Sequence, residues 1–379
     1  MIDLFTYFIY VPVLFLSIFL LLLKTHAYQD SAIDLITRPN RLRINHFIAL
    51  LLISFIVGFR YYVGIDWEGY KDAFEFIRLN KSASFQDAHM EWGYWTINKV
   101  VAELGGSYTL MFFVVAFISW YFIFKSVPAA LLPLVLYFLI TDEFFFWSMN
   151  GVRQFVAASI FLCSIKFIIT RNYKVYLILI IFGFLFHTSI LLVAPLYFVP
   201  FQKLYNQKFW IVAFIASFIF SNTPALINGI TTVFKNLFEL IPVLSAYLQY
   251  FEDVERFEAR EQVRGLGFYF KHLVTIFILI FSKSVIDKYP QTKVYFILYF
   301  CGAIIFNLFS TFQLIGRVNV YFLVLRSVVL AIIVIDLWRS RKYRIIPTGL
   351  VTLYFVLYLT TIYNSSNMCS PYRFDFMRF

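Results

Sequence analysis

Long apolar runs recur along this chain, and they leave it few ways to fold. A helix that spans a bilayer needs about 20 predominantly apolar residues. Windows of about 19 residues place such runs at 4–23, 44–59, 108–124, 129–147, 152–170, 209–222, 267–282, 293–312, 318–337 and 345–362. The stretch from Lys174 to Pro200 is also apolar, but it is broken near His187-Thr188-Ser189 and reads as one long helix or as two short ones. The fold class expected is an all-α polytopic membrane protein with about eleven or twelve spanning helices.

Composition agrees. Of the 379 residues, 61% are hydrophobic, 22% aromatic and only 14% charged, roughly half the charged fraction of an ordinary soluble protein. Neither a water-soluble enzyme nor a nucleic-acid-binding domain fits, and no nucleic-acid partner is expected. The formal charge of +11 would suggest acidic partners for a soluble protein, whereas membrane proteins collect Lys and Arg in cytoplasmic loops.

Suppose that the N-terminus is outside and that 174–200 is a short hairpin. The cytoplasmic segments then hold 16 basic residues against four acids, and the external segments hold 14 against 17. A single crossing at 174–200 would place the cluster from Arg339 to Arg344 outside, so the hairpin is favoured, although helices of about 13 residues span only about 20 Å each. Both termini are then external. The chain reads as one integral membrane domain, 1–379, with two long external loops, 60–107 and 223–265. Met1-Ile2-Asp3 lacks the basic start of a secretory signal, and the run that follows is too long for one, so it is expected to be a retained span. Three cysteines, Cys163, Cys301 and Cys369, make no disulfide framework. No internal repeat of the kind common in secondary transporters is visible.

Each long loop carries an amphipathic pattern. In the first, Trp67, Tyr70, Phe74 and Ile77 share one helical face, with Lys71, Asp72, Glu75 and Arg78 on others. In the second, Leu244, Tyr247, Leu248, Phe251, Val254 and Phe257 stand against Glu252, Asp253, Glu255, Arg256 and Glu258. Such helices lie on the bilayer surface, cover a cavity, or merely pack on neighbouring spans.

Soluble-enzyme motifs are missing: no P-loop, GxGxxG, GxSxG, CxxC or HExxH occurs. Nor is there an Asp-x-Asp pair of the kind that holds a divalent metal against a nucleotide sugar, and neither a metal nor a cofactor is expected. Arginines at the external ends of spans stand out instead. Arg60 follows the second span, Arg153 opens the fifth as Asn150-Gly151-Val152-Arg153-Gln154, and Arg317 opens the tenth as Gly316-Arg317. A helix N-terminus offers free N–H groups and a positive dipole end, and with an arginine and a glycine beside it becomes a phosphate site. The plainer alternative is that each arginine snorkels to lipid headgroups. Lys271, one turn into the eighth span beside His272, is a further candidate cation. Arg326, near mid-depth, must face protein or water.

Acid–base candidates lie on the same side. They are Asp66 in Gly64-Ile65-Asp66-Trp67-Glu68-Gly69-Tyr70, Glu91 in Glu91-Trp92-Gly93-Tyr94, and His187 at the break of the short hairpin. Aromatic rings beside carboxylates suit a sugar, whose apolar faces stack on rings while its hydroxyls bind carboxylates. Interfacial aromatic belts have a similar composition, and a histidine in an apolar stretch is often a hydrogen-bonded core residue.

Taken in order, these residues resemble the EpsG branch of the Wzy-type polysaccharide polymerases. The matching stretches are Arg60 with Gly64-Ile65-Asp66 and Tyr70, Glu91-Trp92-Gly93-Tyr94, Gly151-Val152-Arg153-Gln154 running into Ala157-Ala158-Ser159, Phe186-His187-Thr188-Ser189 with Pro195, Arg317 with Tyr321, and Pro371-Tyr372. Ile65 stands where the family commonly has threonine. The resemblance implies a GT-C-like, multi-pass protein of a bacterial inner membrane. It would elongate an O-antigen, capsule or exopolysaccharide on the external face from oligosaccharide units carried on undecaprenyl diphosphate. That lipid-linked oligosaccharide would be donor and acceptor, and the bilayer, a flippase and a chain-length regulator of the same pathway its other partners.

On this reading Arg153 and Arg317, with Arg60 and Lys271, hold the diphosphate. Tyr70, Trp92, Tyr94, Gln154 and Tyr321 contact the glycan, and one of Asp66, Glu91 or His187 is the base. A glycosyl diphosphate carries a good leaving group, so binding its developing charge and positioning the acceptor hydroxyl are the main tasks. Two other classes remain open: a lipid-linked oligosaccharide flippase, whose charges should line a mid-membrane cavity, and a ligase or membrane acyltransferase acting on glycans.

Overall fold

A computed structural model describes the chain except for residues 1–2, 24–32, 34–35, 39, 222, 224–228, 230–231, 234, 237–238, 241–265, 310–312, 341–342 and 378–379, and gives the backbone alone at 266 and 313–317. Among the described residues the secondary structure is helical, with one isolated β-bridge between Arg60 and Phe374. Among the described residues, seven helices are long and apolar enough to cross a membrane, and five shorter apolar helices accompany them. The protein is an all-α, multi-pass membrane protein.

Two compact units divide the chain, one from residues 1–199 and 330–379 and the other from residues 200–329. The first contains α1 (Leu4–Leu22), α2 (Ile44–Gly58), α3 (Trp67–Leu79), α4 (Trp92–Glu103), α5 (Tyr108–Ser126), α6 (Leu132–Thr141), α7 (Phe144–Trp147), α8 (Val152–Ile169) and α9 (Tyr173–Phe184). A 3₁₀ helix, Thr188–Phe198, follows α9, so the break expected near His187 falls at residues 185–187. Helix α8 is the centre of this unit, packed against α5 and α9 and buried almost all round. The small run Ala157-Ala158-Ser159 admits that close packing. Helices α2 and α1 continue the layer, α2 on α5 and α1 on α2.

The first long loop is two packed helices, α3 and α4. As the pattern predicts, α3 buries Trp67, Phe74 and Ile77. Helix α4, beginning at the Trp92-Gly93-Tyr94 motif, buries Gly93, Tyr94, Asn98 and Val101. The N-terminal residues, this loop and the C-terminal tail gather at one end of the unit: the tail's Tyr372 N–H donates to Thr6 Oγ1 at 2.7 Å and Tyr61 N–H to the Arg373 carbonyl at 2.8 Å.

The second unit holds α10 (Gln207–Phe220), α11 (Leu266–Lys288), α12 (Lys293–Phe309) and α13 (Gln313–Leu323). A polar thread ties three of them together, with His272 between the Phe268 carbonyl and Asn307 Oδ1, both at 2.8 Å, and Asn307 Nδ2 donating to Ser217 Oγ at 2.9 Å. The amphipathic pattern expected at Leu244 to Phe257 lies outside the described residues. Beyond α13 come α14 (Arg326–Arg339) and α15 (Ile345–Tyr363).

Candidate functional site

Helix α8 begins at Val152 with Gly151 as N-cap, which puts Arg153 in its first turn. The Arg153 guanidinium points at α4: Nη1 donates to Glu91 Oε2 at 2.5 Å, and Cζ lies 5.9 Å from the centre of the Tyr94 ring. It also hydrogen-bonds Tyr70. The pair remains partly open, with side-chain exposures of 29% for Arg153 and 16% for Glu91. Its Nε is shielded yet has no hydrogen-bond partner among the described residues. Burial pushes the Tyr70 hydroxyl up, the Asp66 carboxylate adds to that, and Arg153 opposes both. Residues spread from 66 to 153 in sequence thus form one cluster of carboxylates, phenols and a guanidinium.

Local structure holds each member in place. Glu91 is the N-cap residue of α4, and Gly93 in the first turn donates its N–H to the Leu185 carbonyl at 2.8 Å. A Cβ on Gly93 would come within 2.8 Å of Leu185, so only glycine admits this approach. Leu185 belongs to the break that carries His187, and the Trp-Gly-Tyr turn is therefore docked on that break. There, His187 Nδ1 accepts from the Ser189 N–H at 3.2 Å and faces Ser189 Oγ at 2.7 Å. Because a backbone N–H can only donate, the neutral ring carries its proton on Nε2.

Asp66 is the exposed N-cap residue of α3. Its position is set by Asn150, whose Oδ1 accepts from the Ile65 N–H while Nδ2 donates to the carbonyls of Phe146 at 3.1 Å and Asn367 at 3.2 Å. Gly64, at φ +101°, completes the turn, and a Cβ there would sit 3.0 Å from the Met149 carbonyl. The tail joins in, since Gly64 N–H donates to the Met368 carbonyl at 3.0 Å and Tyr372 Oη to the Ile56 carbonyl at 2.8 Å. Nothing in the sequence around Asn150 announces this role, because its partners, Ile65 and Asn367, lie far along the chain.

Arg60 is different. It is fully buried, donating from Nε to the Val63 carbonyl at 3.0 Å, from Nη1 to the Val57 carbonyl and from Nη2 to the Met149 carbonyl at 2.9 Å, with Cζ 4.3 Å above the Phe112 ring. All three of its nitrogens are bonded to carbonyls inside the fold, which sets it apart from the partly open Arg153.

The remaining candidates scatter. Trp92 is exposed, whereas Tyr94 and Gln154 are buried, and a ring closed from the surface offers no face to a sugar. In the second unit Tyr321 is buried and Lys271 half-buried. Arg317 does not open its helix as expected: α13 starts at Gln313, a full turn earlier, and Arg317 lies inside it.

A model of the EpsG family matches residues 44–374. No curated protein and no solved structure matches the chain. The family match covers all of the clustered residues named above.

Proposed function

Because the chain belongs to the EpsG family, an exopolysaccharide-related family of membrane proteins, we propose that it is a membrane glycosyltransferase. It joins oligosaccharide units carried on undecaprenyl diphosphate into a surface polysaccharide on the external face of a bacterial inner membrane. The observation that carries this reading is the state of Arg153: partly open, at a helix N-terminus, with a shielded Nε that has no hydrogen-bond partner among the described residues.

Arg153 binds the leaving diphosphate through charge-assisted hydrogen bonds, worth about 1.5–3 kcal/mol each. Glu91 fixes the plane of the guanidinium, and its charge is balanced there, which leaves the exposed Asp66 as the better base. An acceptor hydroxyl attacks the anomeric carbon of the donor, the bond from that carbon to the diphosphate oxygen breaks with its electron pair, and the hydroxyl proton passes to the Asp66 carboxylate. His187, whose Nδ1 is held by Ser189, turns Nε2–H outward as a donor when the ring is neutral.

The test is chain extension by the purified full-length protein on its lipid-linked repeat units. Arg153→Ala is expected to lower the rate at least about 100-fold, Asp66→Asn by a similar factor, and Glu91→Gln about tenfold, the loss of about 1.4 kcal/mol. Near-normal ladders from folded Arg153→Ala protein would sink the proposal. A single addition instead of a ladder would mark a ligase or acyltransferase.

A further inference from the structure

The turn between α2 and α3 holds a residue that the chemistry above leaves unused. Tyr62 adopts φ +55°, in the left-handed region, which a bulky side chain occupies at a cost of about 1–3 kcal/mol. Burial does not repay that cost, because Tyr62 is 55% exposed. Its ring is nevertheless fixed. The hydroxyl donates to Glu68 Oε1 at 3.1 Å, the ring lies 4.8 Å from Trp67 at 35° and 5.4 Å from Tyr61 at 70°. Trp67 is itself locked, 1% exposed, with its indole N–H donating to the Arg60 carbonyl at 3.2 Å.

A tyrosine of an interfacial belt turns its hydroxyl to headgroups. Here the hydroxyl belongs to a carboxylate, and Ile65, Asp66, Glu68 and Gly69, which follow close along the chain, are exposed as well. A rigid aromatic face that loses little entropy on binding, edged by the exposed Glu68 carboxylate, matches the two sides of a pyranose: C–H faces and hydroxyls.

We propose that Tyr62 and Glu68 form a sugar subsite that takes the terminal pyranose of the acceptor glycan. The ring of Tyr62 stacks against the sugar's apolar face and Glu68, in the first turn of α3, accepts from one of its hydroxyls. This rests on the glycosyltransferase reading, and two measurements separate the subsite from that reading.

The first is binding of the free repeat-unit oligosaccharide, hydrolysed from its own lipid diphosphate, followed by tryptophan fluorescence of the full-length protein in nanodiscs. It is run in an Arg153→Ala background, where transfer plays no part. The expected result is saturable binding that Tyr62→Gly weakens at least tenfold, Tyr62→Trp preserves and Glu68→Gln weakens a few-fold. The second is the rate of chain extension against acceptor concentration, where Tyr62→Gly should raise the acceptor KM about tenfold and leave kcat within twofold. Because glycine relieves the left-handed strain, the Tyr62→Gly protein should melt no lower than wild type, a result that a merely structural tyrosine would not give. Oligosaccharide binding lost in Tyr62→Gly while no variant or wild type polymerises would uphold the subsite and overturn the enzyme reading. No binding to the parent protein at millimolar oligosaccharide, unchanged affinity in Tyr62→Gly, or a lower melting temperature in that variant would each overturn the subsite.

Discussion

Two arginines of the first unit look alike in sequence and live in opposite surroundings. Arg60 and Arg153 each stand beside a glycine-containing motif at the same end of the unit. Around Arg60 the partners are backbone carbonyls from residues 57, 63 and 149, so the guanidinium links the end of α2 to the turn before α3 and to the approach to α8. Around Arg153 the partners are side chains, Glu91, Tyr70 and the Tyr94 ring, and part of the group stays open. Carbonyl partners cannot be exchanged without unfolding the turn that carries them, whereas a carboxylate and a phenol can yield to a phosphate. The first arginine builds the end of the unit, and the second is available to a ligand.

The sharpest way to break this comparison is to truncate both. Arg60→Ala removes the only charge among three buried carbonyls, each left unpaired at about 1–3 kcal/mol. The expected result is the largest effect of any substitution considered: little folded protein recovered from the membrane, or a melting temperature lowered by well over ten degrees. Arg60→Lys should rescue little, since a single ammonium lacks the planar fork that serves three directions. Arg153→Ala should melt close to wild type and lose chain extension. Folded, stable but inactive Arg60→Ala protein would mean that Arg60 too acts on the ligand, and the distinction would fall.

A middle-sized effect is expected at Asn150, which joins the two neighbourhoods. Asn150→Ala leaves the Ile65 N–H and the Asn367 carbonyl without their partner, a loss of about 1–3 kcal/mol, and loosens Asp66 relative to Arg153. Chain extension should fall about tenfold through kcat, with acceptor KM changed less than twofold. Since α4 does not touch Asn150 through any of these bonds, Glu91 and Arg153 should keep their pairing, and Asn150→Asp, which retains one acceptor, should recover part of the rate. Equal losses in Asn150→Ala and Arg153→Ala, both through stability, would show that the two arginines belong to one structural knot.

How much of this was visible beforehand depends on the range of the interaction. Apolar periodicity is local, so the apolar helices, the amphipathic face of Trp67, Phe74 and Ile77, and the break before Thr188 are legible in it. The Arg153–Glu91 pair joins residues 62 positions apart, and no local pattern tells an arginine that snorkels from one that pairs. Arg60 illustrates the same limit from the other side: a charge at a helix end reads as exposed, and only the approach of Met149 and Phe112 shows it to be buried. The start of α13 lies earlier than the sequence suggests because Gly316-Arg317, a helix-weakening residue beside a charge, reads as a boundary, whereas the helix runs through both from Gln313. For the tail, Pro371-Tyr372 drew notice only by resemblance, since carbonyl and hydroxyl bonds to Thr6, Ile56 and Phe59 leave no mark on sequence.

The smallest effect belongs to the outermost link of the Arg60 side, the pair of Asp3 with Arg373 at 3.0 Å, whose side chains are 21% and 46% exposed. Burial pushes the Asp3 carboxyl up, but hydrogen bonds from Thr6 and Arg373 outweigh it and hold the group below its ordinary value. A carboxyl depressed in the folded state contributes stability that is present above its unfolded pKa, near 3.8, and is lost as pH falls through the lower folded value. At neutral pH, Asp3→Asn should therefore lower stability by no more than about 1 kcal/mol, a shift of a degree or two in melting temperature. The difference between Asp3→Asn and wild type should shrink as pH falls below the unfolded value and disappear once it has passed through the folded one. A variant that also lost chain extension would place the tail's hold on Tyr61 and Gly64 in the same class as Asn150, as a support the site depends on and not an outer fastening of the fold.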